Sequence, residues 1–439
     1  MNNPKIIYDG NDKSFLRKKW DVLFQDIALK RIPNIYKKNN QVLNVENSEQ
    51  LESLIDPKNF ENNKKWKAII LSLPLNNFIN LVSFFNSLDD ALNEETKIIV
   101  NYYSRIWRPF FTLFSFLGLI NNYNLLFFSE NTLNTFLRTG NFEISKNLNN
   151  FLIPFKMPLI SKFFSILLDF LPFLDYLSVT RVFYLRKKVY KKRQNQKMSL
   201  IVPCKNEELN IKNIVNESRE KLNFPYEIVF INDKSSDKTL KIMEDCKSNN
   251  SDIEIKIIEG LGKGRGIAIN EGIKIANGHY SVTFDADMTV NMFDINLFYS
   301  TISNGHADFI NGSRLIYKPY SGAMRYANFL GNTFIAKLAS FIVDEKITDT
   351  LCGTQCFITS DYKIFKEFKA KNSINDIWGT HNILFSSNFY GLKCIDLPVR
   401  YYERLEGETK MTKRIYDFFT MLSDFIKTLK RFKINFDKD

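Results

Sequence analysis

The sequence predicts an α/β protein with two domains. Its 439 residues are enough for two or three domains with buried cores. Short β-branched and aromatic runs alternate with amphipathic stretches in both halves, which is the pattern of strands and helices in α/β folds. In the second half, each predicted strand from Leu200 to Phe284 ends at a polar or acidic loop, as a nucleotide crevice requires.

The amino-acid composition indicates a folded protein but does not identify its binding partner. Hydrophobic residues make up 44% of the chain and aromatic residues 14%, which indicates a folded globular protein. The net charge of +12 fits nucleic acid, an anionic membrane or phosphate-bearing substrates. No recognised nucleic-acid-binding motif accompanies it, so we predict no nucleic-acid partner and keep a basic nucleic-acid-binding protein as the non-enzyme alternative. No apolar run reaches transmembrane length, because Phe163–Leu185 is interrupted by charged residues and a proline.

The first domain is predicted to span residues 1–185. Phe15–Tyr36 and Phe78–Leu92 have the pattern of amphipathic helices. Three segments have the pattern of strands: Gln41–Val45, Ala68–Leu73 and Lys97–Asn101. The apolar stretches Trp107–Leu119 and Leu152–Leu185 are predicted to be helices with buried faces, and contact with a membrane or with the other domain is the alternative.

Three segments of this domain resemble class I S-adenosylmethionine-dependent methyltransferases: Trp66–Ser72, Ile98–Asn101 and Leu133–Glu143. Such enzymes hold the cofactor on a glycine-rich turn after the first strand. Here Val45 leads into Glu46–Glu49 without a glycine, so the backbone cannot approach a cofactor closely. We therefore predict a degenerate, non-catalytic methyltransferase-like domain. An unrelated α/β scaffold and a working methyltransferase are the alternatives.

Residues 186–197 are predicted to be a basic linker, since they contain seven Lys and Arg and no acid. A solvated linker would have this composition. Near an anionic membrane surface, however, each such cation is worth about 1 kcal/mol of binding.

The second domain is predicted to span residues 198–414. Its strands are Leu200–Pro203, Glu227–Ile231, Ile253–Ile258 and Tyr280–Phe284. A glycine-rich stretch, Gly260–Gly266, follows the third strand. Its glycines let the backbone approach a phosphate, and Lys263 and Arg265 add positive charge.

Two carboxylates, Asp285 and Asp287, follow the fourth strand directly, where an open α/β sheet binds its ligands. Neither has an obvious basic partner in the sequence. Two like charges this close are costly unless a cation joins them. Mg²⁺ takes one or two carboxylates together with phosphate oxygens, so a metal-bound diphosphate is the predicted ligand. An Asp-rich turn without a ligand is the alternative.

Seven motifs occur in order over this domain, and together they resemble inverting family 2 glycosyltransferases of the dolichol-phosphate mannose synthase and polyprenyl-phosphate glycosyltransferase kind. The motifs are Val202–Glu208, Asn232–Thr239, Gly260–Gly264, Asp285–Asp287, Gly312–Arg314, Asp349–Gln355 and Arg404–Met411.

The resemblance implies a GT-A fold, that of nucleotide-diphospho-sugar transferases, and a role for each matched residue. Asp285 and Asp287 would hold Mg²⁺ or Mn²⁺ against the diphosphate of the sugar nucleotide. Phosphate oxygens of donor or acceptor would be met by Arg314, Arg404 and Lys410. The remaining donor-binding residues would be Pro203, Asn206, Glu207, Asp233, Gly262, Lys263 and Ala286.

The chain departs from the family pattern at two places. Asn232 stands where the family often has Asp. The stretch Trp378–Asn382 lacks the carboxylate that often serves as general base, unless Asp376 or His381 takes that role. A phosphomonoester is already anionic at pH 7 and needs no base, so the gap favours a lipid phosphate acceptor over a saccharide hydroxyl.

The resemblance therefore implies transfer of a hexose, from GDP-mannose or UDP-glucose, to polyprenyl or dolichyl phosphate. The protein would lie peripherally on the cytoplasmic face of the membrane. Two stretches, Ala323–Val343 and the C-terminal segment 415–439, have apolar helical faces with cations nearby, and one of them is predicted to lie in the bilayer interface. A core-facing helix is the alternative.

Overall fold

The computed structural model describes residues 24–25, 28–78, 80–117, 127–148, 180–188, 195–317, 324, 326–372, 374, 376, 378–404 and 414–434. The chain divides into two compact units, with the boundary between Lys188 and Val189, and the second unit runs to Phe432. Among the described residues, no helix combines the length and apolarity that a membrane crossing requires.

The first unit contains a five-stranded sheet in the order β1-β2-β3-β5-β4. Its strands are β1 (Val42–Val45), β2 (Ala68–Leu71), β3 (Lys97–Tyr103), β4 (Phe142–Leu148) and β5 (Thr180–Lys187). The first three strands are parallel, and β5 runs antiparallel to both β3 and β4. Its helices are α1 (Asn34–Lys38), α2 (Ser48–Ile55), α3 (Phe60–Asn63), α4 (Leu81–Ala91), α5 (Arg108–Phe116) and α6 (Glu130–Thr139).

Continuous apolar strands explain why this sheet is covered on both faces. Ile69 and Leu71 pack into one apolar cluster with α4, and Ile70 packs into a second cluster with Ala28 and Ile32. Parallel strands buried on both faces have such uninterrupted apolar sequences. The α/β prediction is confirmed for this unit, and the predicted strands lie within two residues of their observed bounds at each end.

Three predictions for this unit are wrong in the described residues. The stretch Trp107–Leu119 contains helix α5, but its apolar residues Phe110, Leu113 and Phe116 are exposed, so the predicted buried face is not formed by them.

The end of the predicted helix Leu152–Leu185 is instead strand β5, whose β-branched and aromatic residues pair with β3 over Ile98–Tyr103. Arg186, predicted to begin the basic linker, also lies in β5. It is 3% exposed and donates to Glu143 from Nε at 2.8 Å, because a buried cation requires a paired carboxylate. Most of Phe15–Tyr36 lies outside the described residues.

The second unit contains a seven-stranded sheet in the order β12-β10-β11-β9-β6-β7-β8. Its strands are β6 (Met198–Cys204), β7 (Tyr226–Asn232), β8 (Glu254–Glu259), β9 (Tyr280–Thr283), β10 (Phe309–Ser313), β11 (Gln355–Ile358) and β12 (Cys394–Pro398). Strand β11 runs antiparallel to its neighbours β9 and β10, and the other pairings are parallel. The α/β prediction is confirmed here too.

The helices of this unit are α7 (Ile211–Lys221), α8 (Thr239–Asn249), α9 (Arg265–Ile275), α10 (Ile295–Ser303), α11 (Tyr326–Val343), α12 (Tyr362–Asn372), α13 (His381–Phe389) and α14 (Arg414–Leu429). After β6 the chain moves through α7 to β7 on one side, whereas β9 pairs with β6 on the other side. The carboxyl ends of β6 and β9 therefore flank a topological switch point, which is where open α/β sheets bind ligands.

Helix α14 uses one of its faces for the core. Phe425 and Phe432, just beyond the helix, are buried against Phe385, and Phe432 also contacts Phe389. The core-facing alternative thus describes this side of the helix. On the other side Phe419 is 62% exposed, and Ile426 is also exposed.

Candidate active site

All seven strands of this sheet contribute a segment to one edge of the sheet, the edge formed by the ends of the strands and not by an outermost strand. The parallel strands β6, β7, β8, β9, β10 and β12 reach this edge with their carboxyl ends, and the reversed strand β11 begins there. The carboxylates Asp285 and Asp287 follow β9 at this edge. Arg265 at the start of α9, Gly353 before β11 and Arg404 after β12 lie against these carboxylates.

Asp285 is paired with Arg265, the first residue of α9. The Nε atom of Arg265 donates to Asp285 Oδ1 at 2.6 Å. Its two terminal nitrogens donate to the carbonyl oxygens of Trp378 and, at 2.8 Å, Gly353. The sequence predicts no basic partner for Asp285 and places Arg265 in a phosphate-binding loop. The structure corrects this, because the guanidinium group is directed at the carboxylate.

Gly353 makes room for this pair. A Cβ atom on Gly353 would lie 1.9 Å from Asp285 Oδ2 and 2.7 Å from Arg265 Nη2. Real Cβ atoms do not approach other atoms this closely, so any side chain here would displace the carboxylate. The backbone is held in place as Thr283 Oγ1 donates to the Gly353 carbonyl at 2.6 Å.

Asp287 is paired with Arg404, whose Nη2 atom donates to Asp287 Oδ2 at 2.6 Å. The other oxygen, Oδ1, accepts hydrogen bonds from the hydroxyl and backbone N–H of Thr289. A bridge between Val290 and Tyr401 runs the segment after Asp287 alongside the segment after β12. This pairing brings Arg404 to the site from more than a hundred residues away.

Burial raises the pKa of Asp287, and the negative charge of Asp285 raises it further. Arg404 and the hydrogen bonds from Thr289 act in the opposite direction without cancelling these two effects. Burial and the neighbouring carboxylate therefore destabilise the ionised form of Asp287 more than Arg404 and Thr289 stabilise it. Additional positive charge would stabilise the ionised form of Asp287.

The two carboxylates fit a hard divalent cation. Asp285 Oδ2 accepts no hydrogen bond from the described residues, and the negative charge of Asp285 is close enough to raise the pKa of Asp287. Within the same residues no cluster of three or more His, Cys, Asp or Glu side chains surrounds them. Mg²⁺ and its congeners bind through one or two carboxylates and complete their coordination with substrate phosphates and water. The donor set matches that mode, and not an all-protein metal cage.

The glycine-rich loop is folded around Asp233, which follows β7. The backbone N–H groups of Gly262 and Gly264 donate to the two oxygens of this carboxylate at 2.7 and 3.0 Å. Both glycines have positive φ, +72° and +97°, which residues with a Cβ rarely adopt. These two N–H groups bind a protein anion, so we correct the expectation that they form a phosphate cradle. Lys263 is exposed between them.

The loops after β6 and β7 hold each other. Asn206 Oδ1 accepts from the N–H of Ser236, and the N–H of Glu207 donates to Thr239 Oγ1 at 2.8 Å. Glu207 is buried, whereas Asn206 is exposed and Pro203 half-buried beside the switch point. Asn232 uses its side-chain oxygen to accept from the N–H of Ser235, which a carboxylate would also do.

The remaining predicted residues differ in position. Arg314 donates to Asp349 from Nε at 2.8 Å and from Nη2 at 3.0 Å, and its guanidinium lies 5.3 Å from the ring centre of Tyr401. Its planar group is therefore engaged by a buried carboxylate. Ala286 is buried between the two aspartates. Lys410 lies outside the described residues.

Asp376 and His381, the two substitutes for a general base, are both buried. The Asp376 oxygens accept from the N–H groups of Gly379 and Asn382, so this carboxylate caps the start of α13. His381 is 0% exposed, and burial lowers its pKa despite the charges of Asp376 and Asp424. Among the described residues neither ring nitrogen has a hydrogen-bond partner, so His381 is a neutral core residue.

Comparison with known proteins decides the type of domain. Residues 199–369 match the family model Glycosyl transferase family 2. The C-terminal half contains a family 2 glycosyltransferase domain. The resemblance inferred from the seven motifs is confirmed to this extent.

Several curated proteins are similar to this domain. A dolichyl-phosphate beta-glucosyltransferase of Dictyostelium discoideum is 26% identical over 175 residues, covering 36% of this chain and 53% of the relative. A poly-beta-1,6-N-acetyl-D-glucosamine synthase of Staphylococcus epidermidis is 30% identical over 197 residues, covering 44% of each chain. The chain thus spans about half the length of these relatives. A crystal structure of Staphylococcus aureus TarS with UDP-GlcNAc is 22% identical, with a TM-score of 0.36, over 53% of this chain and 66% of that one.

Proposed function

We propose that the protein is a metal-dependent inverting glycosyltransferase. It transfers a hexose from a nucleotide sugar, GDP-mannose or UDP-glucose, to polyprenyl or dolichyl phosphate at the cytoplasmic face of the membrane. The observation that carries the proposal is the pair Asp285 and Asp287 at the switch point of the family 2 domain, with Arg404 beside them.

Each residue of the site has its own proposed role. Asp285 and Asp287 would hold Mg²⁺ or Mn²⁺, which when bound offsets the charge that grows on the nucleotide diphosphate as the glycosidic bond breaks. Arg404 is paired with Asp287. When Asp287 holds the metal ion, the guanidinium group of Arg404 would be released to bind a phosphate oxygen of the donor. The crosslinked loops at Asn206 and Asp233 preform the wall of the nucleotide pocket.

Two observations support an anionic acceptor. Asp376 is occupied as a helix cap, and His381 is enclosed by the rings of Trp378, Phe385 and Phe425. Neither is placed to take a proton from a sugar hydroxyl. A phosphomonoester attacks as an anion at pH 7 and does not depend on such a base. The Dictyostelium relative is, by its name, a dolichyl-phosphate glucosyltransferase.

The direct test is a panel of radiolabelled nucleotide sugars incubated with the full chain, polyprenyl phosphate and Mg²⁺ or Mn²⁺. We expect label in a product that is extracted by organic solvent and released by mild acid. Water-soluble or polymer-bound label with no lipid product would contradict the proposed acceptor.

A saccharide hydroxyl acceptor is the second candidate, because the Staphylococcus relatives are named as polysaccharide synthases and match over a longer stretch. An oligosaccharide primer in place of the lipid distinguishes the two candidates. Chain extension of the primer, insensitive to added polyprenyl phosphate, would favour the hydroxyl acceptor.

For the first unit we propose a degenerate methyltransferase-like domain without cofactor binding. The carboxyl ends of its strands are linked by side chains: Ser72 donates to Asn44 at 3.0 Å, and Asn44 donates to Glu46 at 2.6 Å. The turn after β1 continues through Asn47, which caps α2 by accepting from Gln50. This arrangement supports a structural role for the edge where a cofactor would bind.

A further inference from the structure

Arg265 makes contacts that no motif assignment accounts for. Its guanidinium group joins three segments that are far apart in sequence: the start of α9, the Gly353 turn before β11, and the Trp378 turn before α13. The fourth participant is Asp285 after β9. Three separately directed donors of one side chain are thus used at the same time.

We propose that Arg265 is a positioning residue that fixes Asp285 for binding of the metal and diphosphate, and that couples this carboxylate to the Trp378 turn. The inference rests on the proposed function. It goes further in assigning to Arg265 a role in the geometry of the site, and not in binding phosphate.

The geometry supports positioning by shape as well as charge. Arg265 binds through one oxygen of Asp285, Oδ1, and leaves Oδ2 without a hydrogen bond from the described residues. The carboxylate is therefore held in one rotamer with a free oxygen. The side chains of Arg265 and Asp285 are 21% and 34% exposed, so the pair is partly shielded from water. Groups that hold a metal ligand from behind typically change metal affinity or activity by about 10- to 100-fold when removed.

A lysine cannot replace this group. Its single ammonium nitrogen can approach Asp285, but it cannot reach the Trp378 and Gly353 carbonyls in the directions that the planar fork of arginine provides. The substitutions Arg265→Lys and Arg265→Gln therefore separate charge from shape.

The experiment compares these variants in the full chain with Arg219→Gln as matched control. Arg219 makes a similar pair with Asp252, from Nε at 3.0 Å and Nη2 at 2.7 Å, on the surface. Three properties are measured for each variant: Mn²⁺ binding by electron paramagnetic resonance, hydrogen exchange of peptides covering Trp378–Asn382, and the kcat and KM of sugar-nucleotide turnover.

We expect both Arg265 variants to bind Mn²⁺ about tenfold more weakly and to lose about 100-fold in kcat/KM, mostly in kcat. Exchange in the Trp378–Asn382 peptides should become faster in both. Arg219→Gln should match the wild type in all three properties. Full rescue by lysine, or unchanged Mn²⁺ affinity and exchange in both variants, would overturn the proposal.

Failure of the proposed function has a different signature. A wild-type chain that turns over no sugar nucleotide refutes the transferase, and Arg265 is then judged on Mn²⁺ binding and exchange alone. If Arg265→Gln does not fold, Arg265→Lys carries the test, since it keeps the charge opposite Asp285.

Discussion

At the scale of single residues, the two aspartates of the site differ in how many of their carboxylate oxygens already accept hydrogen bonds. Asp285 offers Oδ2, whereas both oxygens of Asp287 accept hydrogen bonds from Arg404 and Thr289. The sequence predicted both aspartates and their common edge, because the strand pattern places them at a carboxyl end. It did not predict their arginine partners. Arg404 comes from a segment 117 residues later in the chain, and Arg265 lies in the glycine-rich stretch predicted to bind phosphate.

Asp285→Asn and Asp287→Asn should each lower kcat/KM by about 10²- to 10³-fold. Each substitution removes a carboxylate that would hold the metal ion, and the positive charge of that ion would stabilise the leaving diphosphate. Circular dichroism should show an intact fold. Asp252→Asn, an exposed carboxylate in an arginine pair, is the control. Wild-type turnover by both site variants would contradict the assignment.

Gly353→Ala should abolish most turnover, because its methyl group cannot occupy the space of Asp285 Oδ2. Gly331→Ala is the matched control, since a Cβ at that position in α11 meets nothing within 4 Å. We expect the control to be neutral or slightly more stable, by up to about 1 kcal/mol, as alanine favours a helix. Equal activities in the two variants would show that the turn can yield.

At the scale of elements, helix α13 is unusual in being buried along its whole length, from His381 to Phe389. The sequence did not predict this, because His381 and Asn382 read as polar positions near a catalytic loop. Burial follows from the aromatic side chains of α12 and α14 that enclose the helix, among them Phe368 and Phe425. Such an enclosure is a property of the tertiary structure and leaves no periodicity in α13 itself.

The buried histidine makes stability depend on pH. Since burial lowers the pKa of His381 in the folded state, the unfolded chain binds the proton more readily. We therefore expect the free energy of unfolding to have its full value at pH values above about 6.5, the pKa of histidine in the unfolded chain. Below that pH it should fall by up to about 1.4 kcal/mol per pH unit.

Urea unfolding at pH 7.5 and pH 5.5 checks this expectation. His381→Phe should remove the dependence at little cost in stability, as the imidazole nitrogens make no hydrogen bonds with the described residues. His306→Gln, at an exposed position, should retain the wild-type dependence. A dependence that survives in His381→Phe would place its origin elsewhere.

Helix α14 tests the proposed membrane contact. Phe419 and Ile426 are exposed seven residues apart on one side of the helix, and Lys430 continues the stripe. Replacing Phe419 and Ile426 together by Ser should weaken sedimentation with anionic lipid vesicles, because it removes the apolar surface that would enter the interface. Leu297→Ser in α10 is the control. Equal sedimentation of both variants would remove α14 from the proposed contact.

At the scale of the whole molecule, the two units differ in how their sheet edges are used. In the second unit the edge is lined by charged side chains with directed partners. In the first unit the corresponding ends of β1 and β2 are joined through Asn44 and Ser72, and Gln25 donates to Ser72 at 3.2 Å. The absence of glycine after Val45 predicts that the backbone there cannot approach a cofactor closely, and the side-chain links at this edge were not predicted.

Titration of the full chain with S-adenosylmethionine in a calorimeter should therefore give no saturable heat, because side chains occupy the turn that the cofactor needs. A nucleotide sugar with Mn²⁺, titrated in the same way, serves as the positive control. Saturable binding of S-adenosylmethionine would defeat the degenerate-domain proposal and favour a working methyltransferase.

The reversed strand β11 has a consequence for how such a domain diversifies. The chain leaves the sheet at Ser313 and re-enters at Gln355, and both points lie on the edge that carries Asp285. Residues 314–354 therefore connect two strand ends that both lie at the edge of the sheet that carries Asp285. Under the proposed function, insertions or deletions between Arg314 and Asp349 would change the acceptor without altering the order of the strands, whereas Gly353 has to remain beside Asp285.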